Sequence, residues 1–158
     1  MAKRKIVLEG DPVLRKTSKE VAEVTPRICA LLDDMLETMR ASNGVGLAAV
    51  QVGILKRIVV IEVDDRVYEM INPVITKVEG EETDMEGCLS VPGRWAMVSR
   101  PYRATVKYTD RSGKQKTLTG EGLLARAICH ETDHLDGKLF VDNVVRYLTD
   151  AELKELQG

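Results

Sequence analysis

The stretch His130-Glu131-Thr132-Asp133-His134 contains both histidines of the chain. Residues four apart lie on the same face of an α-helix, so two imidazole rings at this spacing can bind one metal ion. Glu131 would lie at the edge of that face, close enough to act on a water molecule that the metal activates. Unrelated surface or core histidines are the alternative, but this spacing with a following glutamate rarely arises by chance. The stretch therefore predicts a metal-binding helix.

A catalytic metal site needs a third protein ligand and one open position. The sequence after His134 follows the metzincin protease spacing as far as Gly137, but Phe140 stands where that class has its third histidine. A thermolysin-like site would need a downstream glutamate. Glu152 and Glu155 are available, yet they leave little chain for the second lobe of such a protease. A small metalloprotease is therefore the weaker alternative.

Cysteine supplies the remaining candidates, and the chain has three, Cys29, Cys88 and Cys129. Cys129 adjoins His130, so on a helix it points about 100° away from the metal-binding face. Cys88 is distant in sequence and free to approach, and Gly87 beside it lets the backbone come close to a metal. A buried apolar cysteine is the alternative for Cys88. By elimination, Cys88 is the predicted third ligand.

Composition limits the remaining classes of function. The 158 residues suit one catalytic domain, 1–158, and the 44% of apolar and 30% of charged residues are typical of a globular protein. A net charge of −2 without a basic stripe argues against a nucleic-acid site. No apolar run has the length of a secretory signal or a membrane span. The odd number of cysteines favours a reducing, cytoplasmic location.

Periodicity and turn signals predict an α+β fold, with short antiparallel strands packed around a central metal-binding helix. The acid-rich segment 79–86 is expected to be a solvated loop, because it carries five acids in eight residues. The predicted elements are a helix over 26–41, a strand over 57–63, a second strand over 67–76 broken at Asn72-Pro73, a hairpin over 104–108 and 116–118, a helix over 121–136, and a final helix that starts at Thr149 with a capping box to Glu152.

Three motifs in this order resemble the signatures of the peptide deformylase family. They are Gly44-Val45-Gly46-Leu47-Ala48-Ala49-Val50-Gln51, Glu86-Gly87-Cys88-Leu89-Ser90 and His130-Glu131-Thr132-Asp133-His134. Gly10-Asp11-Pro12-Val13-Leu14-Arg15 also resembles that family, so the likeness extends from about residue 5 to residue 145.

The resemblance implies removal of the formyl group from N-formylmethionine on nascent polypeptides, with release of formate. It implies one divalent metal ion, Fe²⁺ in the cell with Zn²⁺, Ni²⁺ or Co²⁺ able to substitute. Glu131 would then act as the proton shuttle, while the Gln51 amide and the Leu89 backbone N–H stabilise the oxyanion. The implied substrate contacts are Val45, Gly46, Gly87, Leu123 and Ala127, of which the last two share a helical face with the histidines.

Several residues and one partner stay open at this stage. Arg100 or Arg94 could orient Glu86, although an exposed arginine is the default expectation. Arg126 could contact the substrate backbone or point to solvent, and Trp95 could be a contact at the rim of the pocket or lie partly in the core. The short acidic segment 149–158 argues against ribosome docking through it, so another surface would have to dock or the encounter would be transient. A non-catalytic metal-binding or redox-sensing protein is the alternative from a different class.

Overall fold

Two antiparallel sheets and a buried helix between them position the chemistry of this protein. A computed structural model describes residues 2–157 and confirms the predicted α+β class. Its α-helices are α1 (Pro26–Ala41), α2 (Leu123–Leu135) and α3 (Asp150–Gln157). Its strands are β1 (Gly46–Ala48), β2 (Ile58–Val63), β3 (Arg66–Glu79), β4 (Glu82–Cys88), β5 (Val91–Arg100), β6 (Arg103–Thr109), β7 (Gln115–Glu121) and β8 (Val144–Tyr147). Short 3₁₀ helices cover Pro12–Arg15, Ala49–Val52 and Phe140–Asn143.

The strand order places β1 and β4 at the edges of their sheets. The larger sheet has the order β1-β2-β3-β6-β7, and the smaller one has the order β4-β5-β8. Helix α2 contacts strands of both sheets, including β1 and β2 of the larger sheet and β5 of the smaller one. Because β1 and β4 are both edge strands, the chain can bring residues from each beside the same helix.

Helix α1 follows the predicted bounds because its ends carry strong capping signals. The Thr25 hydroxyl accepts a hydrogen bond from the Ile28 backbone N–H at 3.3 Å, and Pro26 occupies the first turn. The helix ends before Asn43, which adopts a left-handed conformation with φ of 57°. Its apolar face packs on the larger sheet through Ile28, Leu31, Leu32, Met35 and Met39.

Helix α2 begins two residues after and ends one residue before the predicted limits of 121–136. Ten of its thirteen residues are buried, so it is a core helix covered on nearly all sides. Its buried polar residues therefore need partners inside the protein. No helix within residues 2–157 has the length and apolar character needed to cross a bilayer.

Two predictions about the strands need correction. The acid-rich segment 79–86 is not a loop: β3 runs to Glu79, and β4 begins at Glu82 and pairs with β5. As an edge strand, β4 tolerates charged side chains that face solvent. Strand β3 also continues through the predicted break, because Asn72 adopts a φ of 52° and the pairing with β6 shifts register there.

The hairpin and the final capping box are confirmed. Strands β6 and β7 pair in register from Arg103 with Glu121 to Thr109 with Gln115. At the start of α3, the Glu152 N–H donates to the Thr149 hydroxyl at 3.2 Å, and the Thr149 N–H donates to the Glu152 carboxylate at 3.0 Å. These reciprocal bonds satisfy two backbone donors that the helix leaves free.

The turn after α2 provides a test of the packing that fixes this helix. Gly137 has a φ of 74°, and a Cβ atom there would lie 2.5 Å from the Arg15 carbonyl oxygen. We expect Gly137→Ala to lower the free energy of unfolding by about 2–4 kcal/mol in denaturant titration. Gly113→Ala is the matched control, because its φ is 85° but nothing lies within 4 Å of the added atom. Equal losses in the two variants would contradict the close approach at Gly137.

Candidate metal centre and active site

Three side chains that could bind a metal converge at the contact between β4 and α2. Cys88 Sγ lies 3.4 Å from His134 Nε2, which lies 3.2 Å from His130 Nε2. Atoms bound to one tetrahedral metal at about 2.0–2.3 Å lie roughly 3.3–3.6 Å apart. The three donor atoms, all within 4.8 Å of one another, therefore fit a single tetrahedral ion with one position left open. Cys129 belongs to a separate apolar cluster.

The ends of secondary structure elements bring these donors together. Cys88 is the last residue of β4 and pairs with Val91 after an irregularity that follows Glu86. Both histidines lie on the buried face of α2, and His134 is fully buried. Phe140, which replaces the third histidine of a metzincin, instead lies against the His130 ring with centroids 6.1 Å apart. It packs beside the metal site and supplies no ligand atom.

Glu86 orients the first histidine. His130 Nδ1 lies 2.7 Å from Glu86 Oε2, and since an ionised carboxylate only accepts, this nitrogen carries the proton. Nε2 is thereby left with its lone pair directed at the candidate metal position. Burial opposes ionisation of Glu86, but hydrogen bonds from His130 and Arg100 outweigh it and hold the pKa of Glu86 well below its usual value. The carboxylate is therefore ionised at neutral pH.

Two buried arginines stabilise this ionised carboxylate. Arg100 donates from Nη2 to Glu86 at 2.7 Å, and Arg126 donates from Nη1 at 3.0 Å. The default expectation of an exposed Arg100 is wrong, because only 7% of its surface is accessible. Arg94 does not touch Glu86: it is exposed and pairs with Glu9. Arg126 precedes His130 by four residues, so their shared helical face was a signal in the sequence.

Glu131 occupies a different environment from Glu86. It is buried, and its Oε1 atom has no hydrogen-bond partner among the protein atoms described. Burial, together with the nearby charge of Glu86, raises the pKa of Glu131 to about 7. Gly46 faces it so closely that a Cβ there would lie 2.5 Å from Glu131 Oε2. A carboxylate with this pKa can exchange a proton near neutral pH.

The Gln51 amide is held in a fixed orientation beside Cys88. Its Oε1 accepts from the Ala48 N–H at 2.9 Å, and its Nε2 donates to the Ser90 hydroxyl at 3.0 Å. The same Nε2 lies 3.5 Å from Cys88 Sγ. The amide N–H group is thus buried next to the candidate metal ligand Cys88.

A cavity of about 450 Å³ opens beside these groups. All the residues predicted from the sequence line it except His134, which is fully buried: Val45, Gly46, Gln51, Gly87, Cys88, Leu89, Leu123, Ala127, His130 and Glu131. Leu123 and Val45 are half exposed at its mouth. Arg126 and Trp95, whose positions the sequence left open, line the same cavity.

Comparison with known proteins places this site in a family. The model of the polypeptide deformylase family matches residues 3–149. The chain belongs to the polypeptide deformylase family. A peptide deformylase of Caldicellulosiruptor bescii is 54% identical over 155 residues, which cover 98% of this chain and 93% of that one. The sequence resemblance is thereby confirmed.

Solved structures show the same relationship. The peptide deformylase of Thermotoga maritima has a TM-score of 0.89 and 39% identity, and the match covers 91% of this chain and 99% of that one. The peptide deformylase of Synechococcus elongatus, solved in complex with actinonin, has a TM-score of 0.88 and 41% identity over 98% of this chain and 84% of that one.

Membership gives the reaction class. Polypeptide deformylases are metal-dependent hydrolases that remove the formyl group from N-formylmethionyl peptides, and this chain is an enzyme of that kind. The cluster of Cys88, His130 and His134 fits the metal requirement of the family. The alternatives of a small metalloprotease and of a non-catalytic metal-binding protein are therefore wrong.

The role of Glu86 can be tested by removing its charge. We expect Glu86→Gln to weaken metal binding about 10- to 100-fold, because the uncharged amide keeps only one acceptor oxygen for Arg100, Arg126 and His130 and so fixes the His130 tautomer less strongly. Competition with a chelator measures this affinity.

Glu62→Gln is the matched control, since Glu62 makes a similar two-bond pair with Arg40 at the surface. Circular dichroism would verify that both variants fold. Metal affinity that is unchanged in folded Glu86→Gln would contradict the orienting role.

Proposed function

We propose that residues 1–158 form one catalytic domain in which Cys88, His130 and His134 bind a single divalent cation. The convergence of their three donor atoms beside a buried Glu131 is the observation that carries this proposal. A thiolate and two neutral imidazoles leave one positive charge on a dication. These three residues would hold the partly neutralised ion, which would supply Lewis-acid chemistry beside the cavity.

We assign Fe²⁺ as the metal in the cell, with Zn²⁺, Ni²⁺ or Co²⁺ as substitutes. Imidazole and thiolate donors suit all four ions, and availability selects among them. A divalent ion, when bound, would polarise the formyl carbonyl and make the attacking water more acidic. The remaining steps depend on the residues around it.

Glu131 is the proposed proton shuttle. It would take a proton from the attacking water as the water oxygen bonds to the formyl carbon. As the C–N bond breaks, Glu131 would pass this proton to the leaving amine, and formate would be released. Its pKa of about 7, raised by burial, suits both transfers near neutral pH.

Gln51 and Leu89 are the proposed oxyanion donors. The Gln51 amide is already fixed by Ala48 and Ser90, so its Nε2 group would not need to reorganise during the reaction. The backbone N–H of Leu89 follows directly on Cys88 and lines the same cavity. Two such donors would stabilise the negative charge that develops on the formyl oxygen.

Backbone pairing and an apolar wall are proposed to hold the substrate. Strand β1 is an edge of the larger sheet, so the segment at Val45 and Gly46 can pair with an extended peptide. Gly87 lines the same cavity and offers backbone groups without a side chain. Leu123 and Ala127 would contact the apolar methionine side chain.

The proposed substrates are N-formylmethionyl peptides at the start of nascent chains, and the proposed location is the cytoplasm. Three free cysteines suit a reducing compartment. Helix α3 carries three acids against one lysine, so we propose that any ribosome encounter is transient and that the chain has no nucleic-acid site.

Formate release from a short N-formylmethionyl peptide, with anaerobically metallated protein, tests this proposal. We expect rapid release by the wild-type protein and a 10²- to 10⁴-fold lower kcat in Glu131→Gln, because that amide cannot accept the proton. The Glu62→Gln control should behave as wild type. Metal content, measured in the same samples, separates a lost shuttle from a lost ion. Full activity in metallated Glu131→Gln would contradict the assigned role.

A further inference from the structure

Trp95 is the sole tryptophan of the chain and lies in the wall of the catalytic cavity. Its six-membered ring covers the backbone of Gly87: a Cβ on that glycine would lie only 2.8 Å from Trp95 Cε3 and Cζ3. The residue is nevertheless 40% exposed. One part of the side chain thus packs on Gly87, and another part is accessible.

The accessible surface around Trp95 is apolar. Met85 and Val45 line the same cavity and are 42% and 40% exposed, and Leu123 is 54% exposed. These four large apolar side chains line one cavity and are partly exposed. Covering them with an apolar part of a ligand would remove apolar surface from water, which makes the free energy of binding more favourable.

Charge near this surface is already neutralised. Arg94, the neighbour of Trp95, donates to Glu9 at 3.0 Å and to the Tyr147 hydroxyl at 2.7 Å. Its guanidinium also lies 5.0 Å from the centre of the Tyr147 ring. Because Arg94 is already paired with an acid, an apolar side chain of a ligand matches this surface better than an acidic one.

The position of the indole limits which part of a peptide it can reach. The indole packs on Gly87, which immediately precedes the candidate ligand Cys88 in the sequence. The Cα atoms of these two residues are about 3.8 Å apart, so the indole lies close to the candidate metal position. An extended peptide advances roughly 3.3–3.6 Å per residue. A peptide whose formyl group is at the metal would therefore pass the indole with one of the first two residues after methionine.

We propose that Trp95 is a specificity-determining residue that contacts the side chain of the first or second residue after formylmethionine and favours apolar over acidic residues there. The contact rests on the proposed function, since it requires the formyl group to lie beside Cys88. Backbone hydrogen bonds hold the main chain at Trp95: its carbonyl accepts from the Leu148 N–H at 2.9 Å, and Ala96 pairs with Tyr147.

The sole tryptophan allows a direct binding test by intrinsic fluorescence. Metallated Glu131→Gln protein would be titrated with N-formylmethioninamide, formyl-Met-Ala-Phe and formyl-Met-Ala-Asp, while calorimetry verifies that each ligand binds. We expect the tripeptide with phenylalanine to shift the Trp95 emission to shorter wavelength and N-formylmethioninamide to leave it unchanged. An equal emission shift with formyl-Met-Ala-Phe and with N-formylmethioninamide would overturn the proposal. So would the absence of any shift with every peptide that binds.

Kinetics provide the second test. In Trp95→Ala, the ratio of kcat/KM for formyl-Met-Ala-Phe to kcat/KM for N-formylmethioninamide should fall about five- to tenfold, mainly through a higher KM. Trp95→Phe should retain most of this preference. Tyr102→Ala is the matched control, because Tyr102 is 43% exposed and covers Gly80 outside the cavity. Its ratio should equal that of the wild type.

The outcomes separate the two proposals. An unchanged ratio in Trp95→Ala, with formate still released by the wild type, would overturn the role of Trp95 alone. Failure of the fully metallated wild type to release formate from any of these substrates would overturn the proposed function, and the role of Trp95 with it.

Discussion

The buried carboxylate of Glu86 is the interaction on which the rest of the site depends. It accepts hydrogen bonds from Arg100, Arg126 and His130, and so joins β4 and β5 to α2. Arg126 also donates to the Val98 carbonyl oxygen at 2.9 Å, which ties the helix to the smaller sheet. Removing one partner from such a buried cluster typically costs about 3–5 kcal/mol, because charge is left uncompensated. The same contacts that hold the sheet on the helix therefore hold the cysteine next to the histidines.

The two carboxylates near the candidate metal position, those of Glu86 and Glu131, have different pKa values because their surroundings differ. Glu86 is surrounded by cations and stays ionised, which suits an orienting group. Glu131 is buried without a partner among the described protein atoms, and its pKa is raised to about 7. The charge of Glu86 contributes to that rise. One carboxylate is thus suited to structure and the other to proton transfer, as expected when the environment separates the pKa values of two nearby acids.

Local signals made much of this arrangement predictable. The caps of α1, the hairpin of β6 and β7, and the histidine spacing on α2 all depend on residues close in sequence. The choice of Cys88 followed from excluding other ligand types. The burial of Arg100 was not predictable in this way, because it depends on the distant Glu86, and for Arg126 the sequence indicated only the helical face that it shares with His130. The prediction of a loop over 79–86 was wrong for a related reason. Strand β4 forms its hydrogen bonds with β5, and the local sequence of the segment does not indicate that pairing.

The central claim is that one thiolate and two imidazoles bind the metal. The most direct measurement is the X-ray absorption spectrum of the zinc-loaded protein and of its Cys129→Ser variant. We expect one sulfur at about 2.3 Å and two imidazole nitrogens at about 2.0–2.1 Å, with the same spectrum in the variant. The absence of sulfur around the zinc, or its loss in Cys129→Ser, would contradict the assignment of Cys88 and with it the coupling of β4 to α2.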